Sequence, residues 1–498
     1  MKPPALLLLA AALTPARAHE FTVHEWGTFT TVSSSDGTHL DGVQNEEAPL
    51  PPFVRHIDGL VGTYAPPGSK GISFQRPLAH VNARMETPVV YFYTDRAFDA
   101  QVDVQFHGGM ISQWFPERSA GEKLPDFARD KKNQIMPKES TLDFGKPRTG
   151  SIRWNVRVDP AGEDQSGRVF QGGELPCWLH PRATDSALVT NAQGQTDKYL
   201  FYRGLGHLTL PVTFTSTGTT VKATNTGAEP VGQWLLFDLN ARQQARWIVP
   251  PAIPAAADGQ RPEVPVEIGS RAYQAGWKKA LYADAVKMLV DAGLYRKEAD
   301  AMLQTWWDSY FLRPGIRIFW VVPRGYVDKA LPLTVSPPPA KTERVIVGRS
   351  EILTPAFEQQ MLNAFASVVP DHGNAMQGDR FFPAYSTRVD QLHAAGRKAD
   401  PAKWAGGKWA GYFQNGVQQT VEVAPDGSVK VTEPNRTATG RMVETATPNV
   451  MEVRYSDDRV ERWSLSSPPA MNYARVEHWV RADDVDRIPP VTGSASKQ

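Results

Sequence analysis

The histidines, and the carboxylates beside them, are where this sequence could do chemistry. Eight of the 11 histidines lie between His19 and His207. Imidazole is the commonest transition-metal ligand and the usual general base near neutral pH. There is no His-Glu-x-x-His pair, and a single cysteine cannot build a thiolate zinc site. A metal would have to be gathered from distant strands, with His24 joined by some of His19, His39, His107 and His207. Such a set suits a divalent transition ion, copper or zinc. At a mature N-terminus, His19 would offer both an α-amine and an imidazole to one Cu(II).

The run His24-Glu25-Trp26-Gly27-Thr28-Phe29 alternates like a strand. His24 and Glu25 then face opposite ways and cannot act as one acid–base pair. Glu25 shares its face with Phe21, Val23 and Phe29, so its carboxylate must be paired or protonated. It is either clamped by a nearby arginine or serves as a ligand or base. Glu86, in Met85-Glu86-Thr87-Pro88, poses the same question, with Arg84 or Arg203 as partner. Arg203 sits in Phe201-Tyr202-Arg203-Gly204, where a guanidinium can stack on rings and still hold a carboxylate at two points. Two readings stand: a Glu–Arg clamp between strands, or a substrate carboxylate or sulfate bound by Arg203 with Tyr202 beside it. Asp36 to Gly42 has some flavour of a calcium loop, departs from EF-hand spacing and reads as a turn. No Gly-x-Ser-x-Gly elbow, phosphate loop or dinucleotide fingerprint occurs.

These side chains must be positioned mainly by strands. Residues 20–250 alternate with period two, as in Val102-Val104-Phe106, Ile152-Trp154-Val156-Val158 and Leu208-Leu210-Val212-Phe214. Gly108-Gly109 reads as a hairpin turn returning through Ile111 to Phe115. Glu122 to Ser140 reads as an exposed loop, and Pro250 to Pro265 as an extended connection. Helical spacing then appears in Leu281, Ala285, Met288 and Leu289, and in Met302, Trp306 and Tyr310. Thr354 and Pro355 open a further helix. After residue 404 hairpin signals resume at Asn415-Gly416 and Asp426-Gly427.

The expectation is therefore a β-rich α+β chain of several domains. Residues 1–18 form a signal peptide and 19–250 an antiparallel β-sandwich. Residues 251–370 form a mixed α/β region packed on it, and 371–403 an irregular connection. Residues 404–485 make a small antiparallel meander or barrel, and 486–498 a disordered tail. Lys2, the apolar run Ala5 to Leu13 and Ala16-Arg17-Ala18 carry the signal-peptide reading, and the run is too short to span a bilayer. The mature chain is expected in the periplasm or outside the cell, with no transmembrane segment. Losing Lys2 and Arg17 changes the net charge from +1 to −1, which gives no footprint for nucleic acid. Cys177, alone among apolar neighbours, is expected to be buried and inert.

The runs Val23 to Val32, Met85 to Tyr93, Lys198 to Gly206 and Ser309 to Arg324 resemble a group of exported bacterial proteins of unsettled function. That resemblance implies the domain division and brings no catalytic residues with it. The residues themselves point to a metal-assisted extracytoplasmic enzyme acting on an envelope polymer or glycan. Its acid or base would be Glu25 or Glu86. The rival is a non-catalytic envelope binding or scaffold protein.

Overall fold

The computed structural model describes residues 20–46, 50–56, 80–123, 128–129, 135–136, 143–162, 169, 176–257, 259–366, 376, 378–399, 406–445, 450–465, 473–485, 487 and 489–497. The signal-peptide reading and His19 lie outside them, as does most of the loop expected at 122–140.

The chain is β-rich, with several sheets and a separate barrel. Its centre is a nine-stranded sheet. Eight of the strands are β1 (Thr22–Ser33), β2 (Ala83–Tyr93), β3 (Gly109–Phe115), β4 (Leu200–Gly206), β5 (Trp234–Leu239), β6 (Ala245–Ile248), β7 (Gly315–Val321) and β8 (Lys341–Ile352). They lie in the order β6-β5-β7-β8-β1-β2-β4-β3, and the short strand Arg55–His56 closes the row. β1 runs parallel to β8 and antiparallel to β2, so the sheet is mixed. Residues 251–370, expected to pack on the sandwich, in fact place β7 and β8 inside its sheet.

Alternation along β1 works as the sequence implies. Val23 and Phe29 enter a core shared with a six-stranded sheet, in which Phe98–His107 pairs with Thr149–Asp159. Trp26 enters a second core, under helices α1 (Lys278–Asp291) and α2 (Arg296–Phe311). Both faces are covered, and β1 to β4 are buried almost throughout. Gly108-Gly109 does not make a hairpin. The chain changes sheet there: Phe98–His107 stays in the six-stranded sheet while β3 joins β4. Gly108 has φ +80, and a Cβ on Gly109 would lie 2.3 Å from the Phe106 ring, so the corner needs glycine.

Three further expectations change. Phe382–Ala399, expected to be irregular, is an α-helix, anchored in the core by Ala384, Tyr385 and Val389. Pro250 to Pro265 is not only a connection, because Glu263–Glu267 joins a three-stranded sheet. Val491–Lys497, expected to be a disordered tail, is the last strand of a closed barrel. That strand pairs with both Gly407–Phe413 and Tyr473–Trp479, so the eight-stranded meander has no free edge. Its interior is filled by Trp409, Val421, Val431, Met451, Val453, Trp463 and their neighbours. Among the described residues no helix is long and apolar enough to cross a membrane.

Candidate arginine cluster on the helix-covered face

One line of α2 runs over β1 and its neighbours: Glu298, Met302, Trp306 and Tyr310, each one turn from the next. Glu298 meets His24, whose Nδ1 lies 2.8 Å from Glu298 Oε2. The same carboxylate accepts from the Tyr93 hydroxyl and from the Tyr295 backbone N–H, both at 2.8 Å, the second capping the helix. Tyr295 covers the imidazole with ring centres 4.3 Å apart. His24 is fully buried, and among the described residues its Nε2 has no partner. At the other end of the line, Tyr310 bonds Thr28 and lies beneath the Arg349 guanidinium.

Between these ends the sheet carries buried charge. Register sets Thr28 opposite Glu86, Thr30 opposite Arg84, and Arg203 opposite Gln113. Glu86 is bonded to Arg380, and Arg84 Nε stands 3.4 Å from its other oxygen. Burial alone would raise the Glu86 carboxyl, but Arg380, Arg84 and Arg203 outweigh it and hold it down to about 2. Arg84 also donates to the Gln44 carbonyl at 2.5 Å and to Glu46 at 3.0 Å.

Arg203 differs from its neighbours. It is 3% exposed, and among the described residues neither Nε nor Nη1 has a hydrogen-bond partner. Glu46, its nearest acid, is 3.8 Å away and already bonded by Arg84. The guanidinium lies 5.7 Å from the ring centres of Phe201 and of Trp306. Trp306 Nε1, Gln113 Oε1 and Asn45 Oδ1 are likewise buried and unpartnered. Part-exposed Glu46 and Cys177 mark the side nearest solvent. Cys177, expected to be buried, is half-buried. Burial raises its thiol pKa, and the Arg203 charge opposes the shift.

The remaining expected site residues lie elsewhere. Glu25 faces the sandwich core, where it accepts from Arg344 Nε at 2.6 Å and from the Tyr202 hydroxyl. Arg344 in turn reaches Asp328 at 2.7 Å. Tyr202 and Arg203, expected to act together, therefore point to opposite faces, as consecutive strand residues must. His39 is part-buried; burial lowers its pKa, and a backbone hydrogen bond with Val212 opposes the shift. His107 is exposed and bonded to Gln105, while exposed His207 packs edge-on to His80. Among the described residues no three or more His, Cys, Asp or Glu side chains are grouped to hold a metal ion. The expected ligand set is not gathered there. Asp36 accepts from Ser34 and Thr38 within its own turn.

Sequence reasoning missed Glu298, Arg344 and Arg380. Glu298 had a signal, as the residue one turn before Met302 on a line already read as apolar. Arg380 had a weaker one, an arginine beside Phe381-Phe382 in a stretch taken to be irregular.

Comparison with known proteins adds little to this geometry. No protein family matches the chain, and no curated protein matches it. Among solved structures it is similar to the yeast delta-COP-I mu-homology domain. Identity is 9% and the TM-score 0.23, with 67% of this chain and 97% of that one covered. The same domain complexed with a Dsl1 WxWxV peptide gives 8% identity and a TM-score of 0.22, over 67% of this chain and 98% of the other. Likeness of that size supports no argument.

Proposed function

We propose that the protein is an exported, non-catalytic binding protein of the cell envelope that holds an envelope polymer or glycan, with the buried arginine cluster around Arg203 as the candidate contact region. The observation that carries this reading is a contrast in partners. Glu25 and Glu86, the carboxylates available as acid or base, are each held by arginine. Glu86, held well below the usual carboxylate range by its arginines, stays charged and is a poor proton carrier. Among the described residues, Arg203 Nε and Nη1 instead have no acceptor.

One observation favours the metal-assisted alternative. His24 is oriented through Nδ1 by a carboxylate and leaves Nε2 unpartnered, an arrangement common among metal-ligating histidines. The two readings separate in one experiment on protein purified from the periplasm, with its native N-terminus. Incubated with isolated envelope polymers, it should co-sediment with one of them, release no soluble product, and behave identically with and without a chelator. Product whose formation stops on chelation would replace the binding reading with the enzymatic one.

A further inference from the structure

We infer that the outer face of the C-terminal barrel carries a binding cleft for an uncharged glycan, a chain of neutral pyranose rings laid across its strands. The strands are Val491–Lys497, Gly407–Phe413, Gln418–Val423 and Ser428–Glu433. The inference rests on the reading of the protein as a glycan binder, and gives that reading a contact surface other than the arginine cluster.

The cleft has a volume of about 630 Å³, within the range of roughly 300–1,000 Å³ found for ligand sites. Trp409, Phe413, Val421, Val431 and Ala495 fill the barrel interior, so the residues next to them in sequence point outward. Register gathers those outward residues into rows. Ser496, Ala410, Thr420 and Thr432 lie side by side, one on each strand. A second row, Ser494, Tyr412 and Gln418, runs beside them, and both rows line the cleft. Four strands about 4.8 Å apart span about 14 Å, the length of roughly three linked pyranose rings.

Charge sets this side apart from the rest of the barrel. Two residues further along the strands, Lys408, Glu422 and Lys430 form a charged row. Further round, the outward positions hold Arg441, Glu452, Arg454, Arg462 and Glu477. Among the described residues lining the cleft only Glu433 is charged, and its carboxylate accepts from Arg436 at 2.8 Å and from Arg459 at 3.5 Å. A phosphate, an acidic sugar or a nucleic acid would meet no cation on this lining.

The lining matches a neutral sugar instead. Serine and threonine hydroxyls and the glutamine amide both donate and accept, as sugar hydroxyls do. Tyr412 is 56% exposed, and a ring held at the surface offers a flat apolar face to the C–H face of a pyranose. Ala410 keeps the floor beside it low. A protein partner would need a cluster of apolar anchors, whereas Tyr412 is the one large apolar side chain of the described lining. Each of these side chains stands on a strand of a closed barrel, so their spacing is fixed before a ligand arrives.

The test uses the full chain with cellohexaose, chitohexaose and hexagalacturonate as probes, read by titration calorimetry. At least one of the two neutral hexamers should bind, and their order tells whether the sugar carries N-acetyl groups. Hexagalacturonate should bind at least about 10-fold more weakly. Tyr412→Ala should weaken binding of the neutral hexamer about 10-fold. Thr420→Lys fills the cleft with a long charged side chain and should abolish binding. Both substitutions change outward side chains, and either provides the test if the other does not fold. No binding of either neutral hexamer, tighter binding of hexagalacturonate, or unchanged affinity in both variants would overturn the inference. Isolated envelope polymer held equally by wild type and both variants would sink the inference and leave the binding reading standing. Hexamer binding lost in the variants, with no envelope polymer held by the wild type, would do the reverse.

Discussion

Glu25 and Arg203 are both charged, both lie in the nine-stranded sheet, and both are almost wholly removed from water. On the sandwich side, Glu25 is answered by Arg344 and the Tyr202 hydroxyl, and Arg344 by Asp328. On the helix side, Arg203 lies near the rings of Phe201 and Trp306, has Glu46 at 3.8 Å, and among the described residues has no hydrogen-bond acceptor for Nε or Nη1. Burial by itself therefore says little about role. A buried ion whose partners are complete fixes architecture, since removing one member strands the other. A buried ion whose partners are missing points to a ligand.

The comparison can be broken most directly at Glu25. Glu25→Gln should lower stability by about 3–5 kcal/mol, because the buried Arg344 then keeps only the exposed Asp328 as a charged partner. Pairing it with Arg344→Met should recover much of that loss in a double-mutant cycle by chemical denaturation. If the single variant melts like wild type, the clamp is not structural. His24→Ala should cost roughly 2–4 kcal/mol, from the cavity and from the lost bond to Glu298. A melting temperature unchanged by that substitution would return His24 to the functional residues.

Glu86 sharpens the comparison through pH. Its folded carboxyl is held at about 2 against an ordinary 4.5. Because the folded value is depressed, its contribution is complete above pH 4.5 and is lost as pH falls towards 2. Acid denaturation curves of wild type and Glu86→Gln should therefore converge across that window. A constant gap between them would mean the carboxylate does not titrate as its arginines require. The smallest effect should come from Arg203→Leu. Without ligand its stability should stay within about 1 kcal/mol of wild type, or rise, since an unmatched buried charge is removed. A large loss would show that Arg203 is held by the fold and not reserved for a ligand.

How much of this was legible depended on whether a signal was local. The faces of β1 were readable from alternation alone, and so were the burial problem at Glu25 and the aromatic setting of Arg203. Their partners were not. Glu25 meets Arg344, 319 positions away, and Glu86 meets Arg380, 294 away, and no periodicity reaches so far. The last strand was read as a tail because Val491-Thr492-Gly493-Ser494 is short and polar. Its pairing is set by closure of the barrel, not by its own apolar pattern. Phe382–Ala399 was hidden by its opening, where Phe-Phe-Pro reads as a break and obscures the helical spacing of Tyr385, Val389 and His393.

The parallel pairing of β1 with β8 also has a consequence for how the chain is made. β1 sits in the middle of the main sheet, and one of its two neighbours begins at Lys341. Synthesis delivers β1 first and that neighbour hundreds of residues later, so an early-formed sheet would present an open edge for most of translation. Closing so long a loop is slow, and an unpaired central strand invites wrong partners meanwhile. The chain is therefore one that gains by staying unfolded until it is complete, and a carrier that holds it extended would protect the strand on which both cores depend.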